Sequence, residues 1–135
     1  MKNTLRSLLV PVAAAATVAL PVSPAHAADG YDRCPVGYYC MFSGLDGTGD
    51  MIKLRGNTPD LAMAGMADRA KSDWNRTEST VHLWSDENYT GCTMATPSGP
   101  TGKGNFFPDY QDFFSSVQFD GPEGPSCATP ASEGN

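Results

Sequence analysis

Apolar residues in this chain come in runs of four or five, and nearly every run is closed by a turn former. Tyr39-Cys40-Met41-Phe42, Met51-Ile52-Lys53-Leu54, Thr80-Val81-His82-Leu83-Trp84 and Ser116-Val117-Gln118-Phe119 are bounded by Gly, Pro, Asp or Asn. Runs of that length and alternation read as short strands and leave little room for helices. One stretch differs: residues 60–68 follow Pro59 and suit a single short helix. Residues 96–105 hold Pro97, Gly99, Pro100, Gly102 and Gly104, which predicts an exposed loop. The chain is therefore expected to be all-β.

Residues 1–27 do not belong to that pattern. Lys2 and Arg6 precede an Ala/Val/Leu run from 8 to 20, and Ala25-His26-Ala27 supplies a small-x-small cleavage site. This is the layout of a secretory signal peptide. Pro11, Pro21 and Pro24 interrupt the run, which is short for a bilayer span. Removing 27 of the 135 residues leaves 108, and losing Lys2 and Arg6 takes the formal charge from −6 to −8. So acidic a product lacks the basic face that nucleic acid or an anionic membrane requires. One domain is expected over residues 28–120, followed by a Pro/Gly/Ser-rich tail over 121–135. That tail should be poorly ordered apart from its tether at Cys127.

All four cysteines, Cys34, Cys40, Cys92 and Cys127, lie in the mature part, as suits an oxidising compartment. Four cysteines allow three pairings. The Pro and Gly inside Cys34-Pro35-Val36-Gly37-Tyr38-Tyr39-Cys40 favour a short ring, Cys34–Cys40, with Cys92–Cys127 as the second bridge. Loop-closure entropy puts these at about 2.4 and about 3.8 kcal/mol. No close Cys or His pair completes a tetrahedral zinc site.

The chain repeats itself. Phe42-Ser43 followed by Thr48-Gly49 matches Trp84-Ser85 followed by Thr90-Gly91 at an offset of 42. Residues 74–81 match 110–117 at an offset of 36. Two hairpin-based halves of four strands each, with a long connection inside each half, make a Greek-key arrangement. Catalysis finds no constellation. His26 leaves with the leader, and His82, between Val81 and Leu83, is expected to face solvent from a strand. Asp86-Glu87 and Asp109 with Asp112 read as acidic turns, and no nucleophile elbow or phosphate-cradling loop is present. The mature chain is expected to be a non-enzyme.

Trp84-Ser85-Asp86-Glu87-Asn88-Tyr89-Thr90-Gly91 resembles the βγ-crystallin hairpin signature, in which two aromatics stack and a glycine takes a conformation closed to other residues. Phe42 to Gly49 is similar, with Gly47 in place of the second aromatic. Cys-Pro-x-Gly-x-x-Cys leading into an aromatic strand, with Asp73-Trp74-Asn75 and Ser79-Thr80-Val81 further on, resembles the Streptomyces metalloproteinase inhibitor family over residues 31–119. The resemblance implies a single-domain βγ-crystallin-like Greek-key sandwich or barrel of two four-stranded motifs, with at most one short helix. It also implies a secreted, monomeric inhibitor of an extracellular thermolysin-like metalloprotease, acting through a rigid exposed loop.

The reactive bond the resemblance carries over is Cys92–Thr93, with Met94 as the next apolar contact. Here the chain departs from the family, because no second cysteine follows within a few residues to close that loop on itself. The βγ-crystallin resemblance brings a second implication, a calcium site built by two Asn/Asp, two free positions and Ser/Thr-Ser. Residues 111–116 match except at Gln111, and residues 75–80 carry Arg76 where an acid or amide belongs. The ligands so implied are Asn75, Ser79, Asp112 and Ser115; no other cofactor is expected. A secreted structural or toxin-like module using Trp74, Trp84, Tyr38 and Tyr39 as a surface is the remaining alternative to inhibition.

Overall fold

The computed structural model describes residues 11–16, 18–19 and 30–127. Of the expected leader over 1–27 only residues 11–16 and 18–19 are described, and positions 128–135 of the tail lie outside the described residues. Among the described residues, no helix is long and apolar enough to cross a membrane.

Seven strands form two antiparallel sheets: β1 (Tyr39–Phe42), β2 (Met51–Leu54), β3 (Ser72–Asn75), β4 (Val81–Trp84), β5 (Thr93–Thr96), β6 (Lys103–Asn105) and β7 (Ser116–Phe119). The first sheet has the order β2-β1-β3-β6, the second β5-β4-β7. Each sheet is completed by the other half of the chain. β6, from the second half, pairs with β3 in the first sheet. Thr58, from the first half, bridges β7 through Thr58 N–H to Val117 O at 2.8 Å and Val117 N–H to Thr58 O at 2.9 Å. The eighth strand of the Greek key is thus reduced to one residue. The fold is all-β with two antiparallel sheets, as the hairpin signature implied, and the exchange of strands between the halves is a finding of the structure.

The hairpins repeat at an offset of 42, as Tyr39–Phe42 with Val81–Trp84 and Met51–Leu54 with Thr93–Thr96. Their loops repeat the same backbone: Asp46, Gly47 and Gly49 have φ of 55°, 71° and 74°, and Asn88, Tyr89 and Gly91 have 56°, 59° and 83°. A side chain at Gly91 would run into Ser85 Oγ, so the signature glycine is required for space as well as for φ. Gly47 has a different reason. A Cβ there would collide with the backbone of Gly30 and Tyr31, and Tyr31 packs edge-on to Phe42 with ring centroids 5.6 Å apart. The missing second aromatic of the first hairpin is replaced by a ring from the N-terminal turn. In the second hairpin Trp84 does not stack on Tyr89; its ring lies against Gly124.

The offset of 36 for the later strands is corrected to 44, which sets Ser72–Asn75 against Ser116–Phe119. Matching Trp74 to Tyr110 by ring type aligned the junction of β3 and β4 with β7. Hydrogen bonding decides the register. Ser72 Oγ donates to Gly44 O at 2.7 Å and accepts from Gly47 N–H at 3.0 Å. Ser116 Oγ donates to Asp86 O at 2.6 Å and accepts from Tyr89 N–H at 3.1 Å. Each serine ties its own hairpin loop to the last strand of its half.

The core lies between the sheets and is built by Tyr39 and Met41, Val81 and Leu83, Val117, Leu61, Met66 and an aromatic group around Phe114. Phe114 meets Phe106 and Phe113 at 5.3 Å each. β1 and β4 are buried on both faces, so period-two exposure is lost in the centre of each sheet. On β1 the outer face is covered by the turn Gly30–Arg33 and the Cys34–Cys40 bridge. On β4 it is covered by residues 121–127, joined through Cys92–Cys127. Four expectations are corrected here. His82 is 4% exposed because that segment lies over it. Residues 121–127 are seated, with Thr93 N–H donating to Pro125 O at 2.8 Å and Cys127 N–H to Thr93 O at 3.0 Å. Residues 103–105 of the expected loop are strand β6, recruited by the unpaired edge of β3. The expected helix over 60–68 is a four-residue 3-10 turn, Leu61–Ala64, capped by Asp60 Oδ1 and stopped by Gly65 at φ 73°.

Ser116→Ala should cost about 1–3 kcal/mol in urea unfolding, because it removes the two part-buried hydrogen bonds to Asp86 O and from Tyr89 N–H. A variant within a few tenths of a kcal/mol of the parent would show that the hydroxyl does not join loop to strand.

Candidate functional site

β5 is the edge strand of the second sheet, and the chain leaving it forms a pinned loop. Asn75 holds both ends of that loop. Its N–H donates to Gly102 O at 2.7 Å, its carbonyl accepts from Gly99 N–H at 3.2 Å, and its Nδ2 donates to Thr96 O at 3.0 Å. Nδ2 also reaches Ser79 O at 2.8 Å, and Oδ1 accepts from Thr77 N–H and Oγ1 at 3.1 and 2.7 Å. Every polar atom of the fully buried Asn75 amide is thus engaged with protein. Pro97, Ser98, Pro100 and Thr101 stand exposed at the apex.

Cys92, Thr93 and Met94 lie where β5 begins. Cys92 O accepts from Ser85 N–H at 3.0 Å, and Thr93 N–H donates to Pro125 O at 2.8 Å. Both polar groups of the Cys92–Thr93 peptide are therefore in use, and Thr93 is 7% exposed. Met94 is half-buried and lines a cleft of about 290 Å³ between β5 and the 101–107 segment.

The floor of that cleft is a residue the sequence reading passed over. Asp73 is buried on β3, with Oδ2 accepting from Tyr39 Oη–H at 2.8 Å and Thr96 Oγ1–H at 2.7 Å. Burial raises its pKa from 3.8 to about 7, against the lowering effect of the Thr96 and Tyr39 hydrogen bonds. Tyr39 is pushed well above the usual phenol range by its own burial and then by the Asp73 charge, so it remains a donor. Gly104 faces Asp73 across the sheet and contributes no side chain, which opens the cleft above the carboxyl.

The four residues implied as calcium ligands are not gathered into one site. With the register at 44, Asp112 and Ser115 correspond to Asp68 and Lys71, whereas Asn75 ends β3 and Ser79 lies in the β3–β4 connection. The two loops clasp each other reciprocally: Asp68 N–H donates to Phe114 O at 3.0 Å and Asp112 N–H to Ala70 O at 2.9 Å. Ser115 Oγ donates to Asp68 Oδ1 at 3.1 Å, while Lys71 Nζ sits on Asp112 Oδ2 at 2.5 Å. One half of the pair therefore carries a lysine cation where the other carries a hydroxyl. Among the described residues, no group of three or more His, Cys, Asp or Glu is arranged to hold a metal. Tyr39 is buried, and Tyr38 and Trp74 are half-buried beneath cations, with Arg76 4.3 Å from the Trp74 ring.

The family model of peptidase inhibitor family I36 matches residues 27–96, which run to the end of β5. The chain belongs to that peptidase inhibitor family. The inhibitor has the fold of βγ-crystallin domains. A double mutant of such a domain from Clostridium beijerinckii superposes with a TM-score of 0.54 at 21% identity, covering 61% of this chain and 94% of that one. A βγ-crystallin from Ciona intestinalis gives 0.52 at 25% identity, covering 62% and 99%. The N-terminal domain of protein S gives 0.53 at 16% identity, covering 61% and 93%. No curated protein matches the sequence. Membership in this family, together with the crystallin-like fold, makes the chain a non-enzyme.

Because the fold binds the Asp73 proton more tightly than the unfolded chain, this group's contribution to stability is complete below about pH 3.8 and is lost as pH rises through about 7. Asp73→Asn should therefore gain on the parent by a few kcal/mol between pH 4 and pH 8, read by urea midpoints at each pH. A constant difference across that range would remove Asp73 as the source of the slope.

Proposed function

We propose that the inhibitor acts outside the cell, as a monomer freed of residues 1–27, on a thermolysin-like metalloprotease. The region offered to the cleft is 92–105, with Cys92–Thr93 as the scissile bond and Met94 as the adjoining apolar contact. The observation that carries this reading is the placement of that region: an extended strand at the margin of the second sheet, continuing into a loop whose two ends Asn75 holds. An extended backbone at a sheet edge is what a protease cleft recognises by strand addition. Holding it in advance removes the ordering cost of binding and lets a cut bond be resealed in place. Two bridges suit an oxidising, extracellular setting.

Mature protein titrated against thermolysin should abolish activity near one equivalent, and prolonged incubation should nick the chain at Cys92–Thr93. Undiminished activity at micromolar excess would reject the target class, and a nick confined to 97–101 would move the reactive bond to the loop apex.

Divalent-cation binding is a second reading, favoured by the exposed Asp68 carboxylate and Ser115 hydroxyl. Lys71 already neutralises the corresponding carboxylate of Asp112, so the parent should show at most one weak calcium site by calorimetry. Ser115→Ala should abolish that site and Lys71→Ser should add a second. No heat at millimolar calcium from the parent or from Lys71→Ser would dispose of this reading.

A further inference from the structure

Four buried side-chain atoms among the described residues find no hydrogen-bond partner: His82 Nδ1, Trp84 Nε1, Thr93 Oγ1 and Gln118 Oε1. All four belong to one surface. His82 lies opposite Ala95 on β5 and Gln118 on β7, and Trp84 lies opposite Thr93. Val81 and Leu83 between them enter the core, so the four point outward from the second sheet. What covers them is the C-terminal segment. Gly121 presses on the Gln118 side chain, and Gly124 lies on the Trp84 ring and near Thr93 Cγ2. Between segment and sheet a cavity of about 130 Å³ is lined by His82, Thr93, Ala95, Glu123, Gly124 and Ser126.

The segment also occupies the edge of β5 as an added strand. Ser126 bridges Thr93 in parallel sense, with both Thr93 backbone groups engaged by Pro125 and Cys127. A strand that pairs well along its backbone yet leaves four polar side-chain atoms beneath it unanswered is a poor match for its seat. The glycines at 121 and 124 bring no side chain that could answer them. The geometry points to the β5 edge and the polar face beneath residues 121–127 as a docking surface for an extended peptide segment of the target peptidase. The inhibitor's own C-terminal segment holds that place in cis until it lifts. This rests on the inhibitory reading above and supplies what it lacks, the step that uncovers Cys92–Thr93. The occupant is an extended polypeptide with hydrogen-bonding side chains, because the free edge offers Thr93 N–H and C=O and the face offers an imidazole, an indole N–H, a hydroxyl and an amide. The Cys92–Cys127 bridge keeps the cis segment at high local concentration, so a variant built without the bridge should populate the open seat.

The test uses two variants of the mature chain, Cys92→Ser with Cys127→Ser, and Gly124→Val. The first removes the tether and the second keeps it while driving a side chain into Trp84. Amide exchange at Thr93 should rise at least 100-fold in the double variant. Inhibition of thermolysin should tighten at least tenfold in the double variant and several-fold in Gly124→Val, with Cys34–Cys40 intact. If the parent inhibits and both variants inhibit no better with Thr93 exposed, the docking surface is wrong and the inhibitory reading stands. If Thr93 stays protected in both variants, residues 121–127 are not a displaceable cover and the proposal falls. If no form inhibits, the inhibitory reading itself fails and takes the docking surface with it.

Discussion

Ser72 and Ser116 each set a fully buried hydroxyl inside a hairpin loop contributed by an earlier stretch of chain, donating to one backbone group and accepting from another. The loops they enter hold left-handed residues at matching positions, and without the serine the loop N–H of Gly47 or Tyr89 would lose its acceptor. Because each serine also begins the strand that closes its half, the same contact fixes the register of that strand against β1 or β4. The reciprocal bonds between the 68–72 and 112–116 segments then fasten one half to the other. A chain with only seven short strands and a bridge thereby acquires one geometry, since a slip of one residue would turn the core face outward.

That arrangement leaves β1 and β4 at the sheet centres, each with a second face to cover, and the chain solves this with its ends. Tyr31 and the Cys34–Cys40 ring cover β1, and residues 121–127 cover β4. For a domain with one modest core, bridges at the two covers act where packing is thinnest. The same ends give the candidate site its character, because β5 is an edge strand only where the C-terminal segment does not lie along it.

The hairpins were legible in the sequence because their signals are local: an aromatic, a turn and a glycine within eight residues. Two repeated halves were legible from the repeat, yet neither their exchange of strands nor their register was. Ring type aligned Trp74 with Tyr110, whereas the register is decided by small hydroxyls at positions 72 and 116 that carry no hydropathy signal. Asp73 sits in Ser-Asp-Trp-Asn, which reads as a polar turn; only β6, arriving from thirty residues away, buries it. Residues 121–127 look like a loose tail because Pro, Gly and Ser have no periodicity. Their seat comes from backbone pairing with Thr93, which composition does not encode.

The two covers differ in how well they fit, and the difference bears on function. Over β1, Tyr31 meets Phe42 and Trp74 edge-on, and Arg33 donates to Gly47 O at 2.7 Å, so the face is filled and its polar groups are answered. Over β4, four polar side-chain atoms are left unpaired. Each such atom costs about 1–3 kcal/mol relative to a hydrated or bonded state. The backbone bonds to Thr93 return only about 1 kcal/mol each, whereas closing the 92–127 loop is worth about 4 kcal/mol. The C-terminal cover is therefore held by its bridge more than by its seat, while the N-terminal cover is held by both. An inhibitor built this way has one end seated by packing and hydrogen bonds and another held over its sheet chiefly by a bridge.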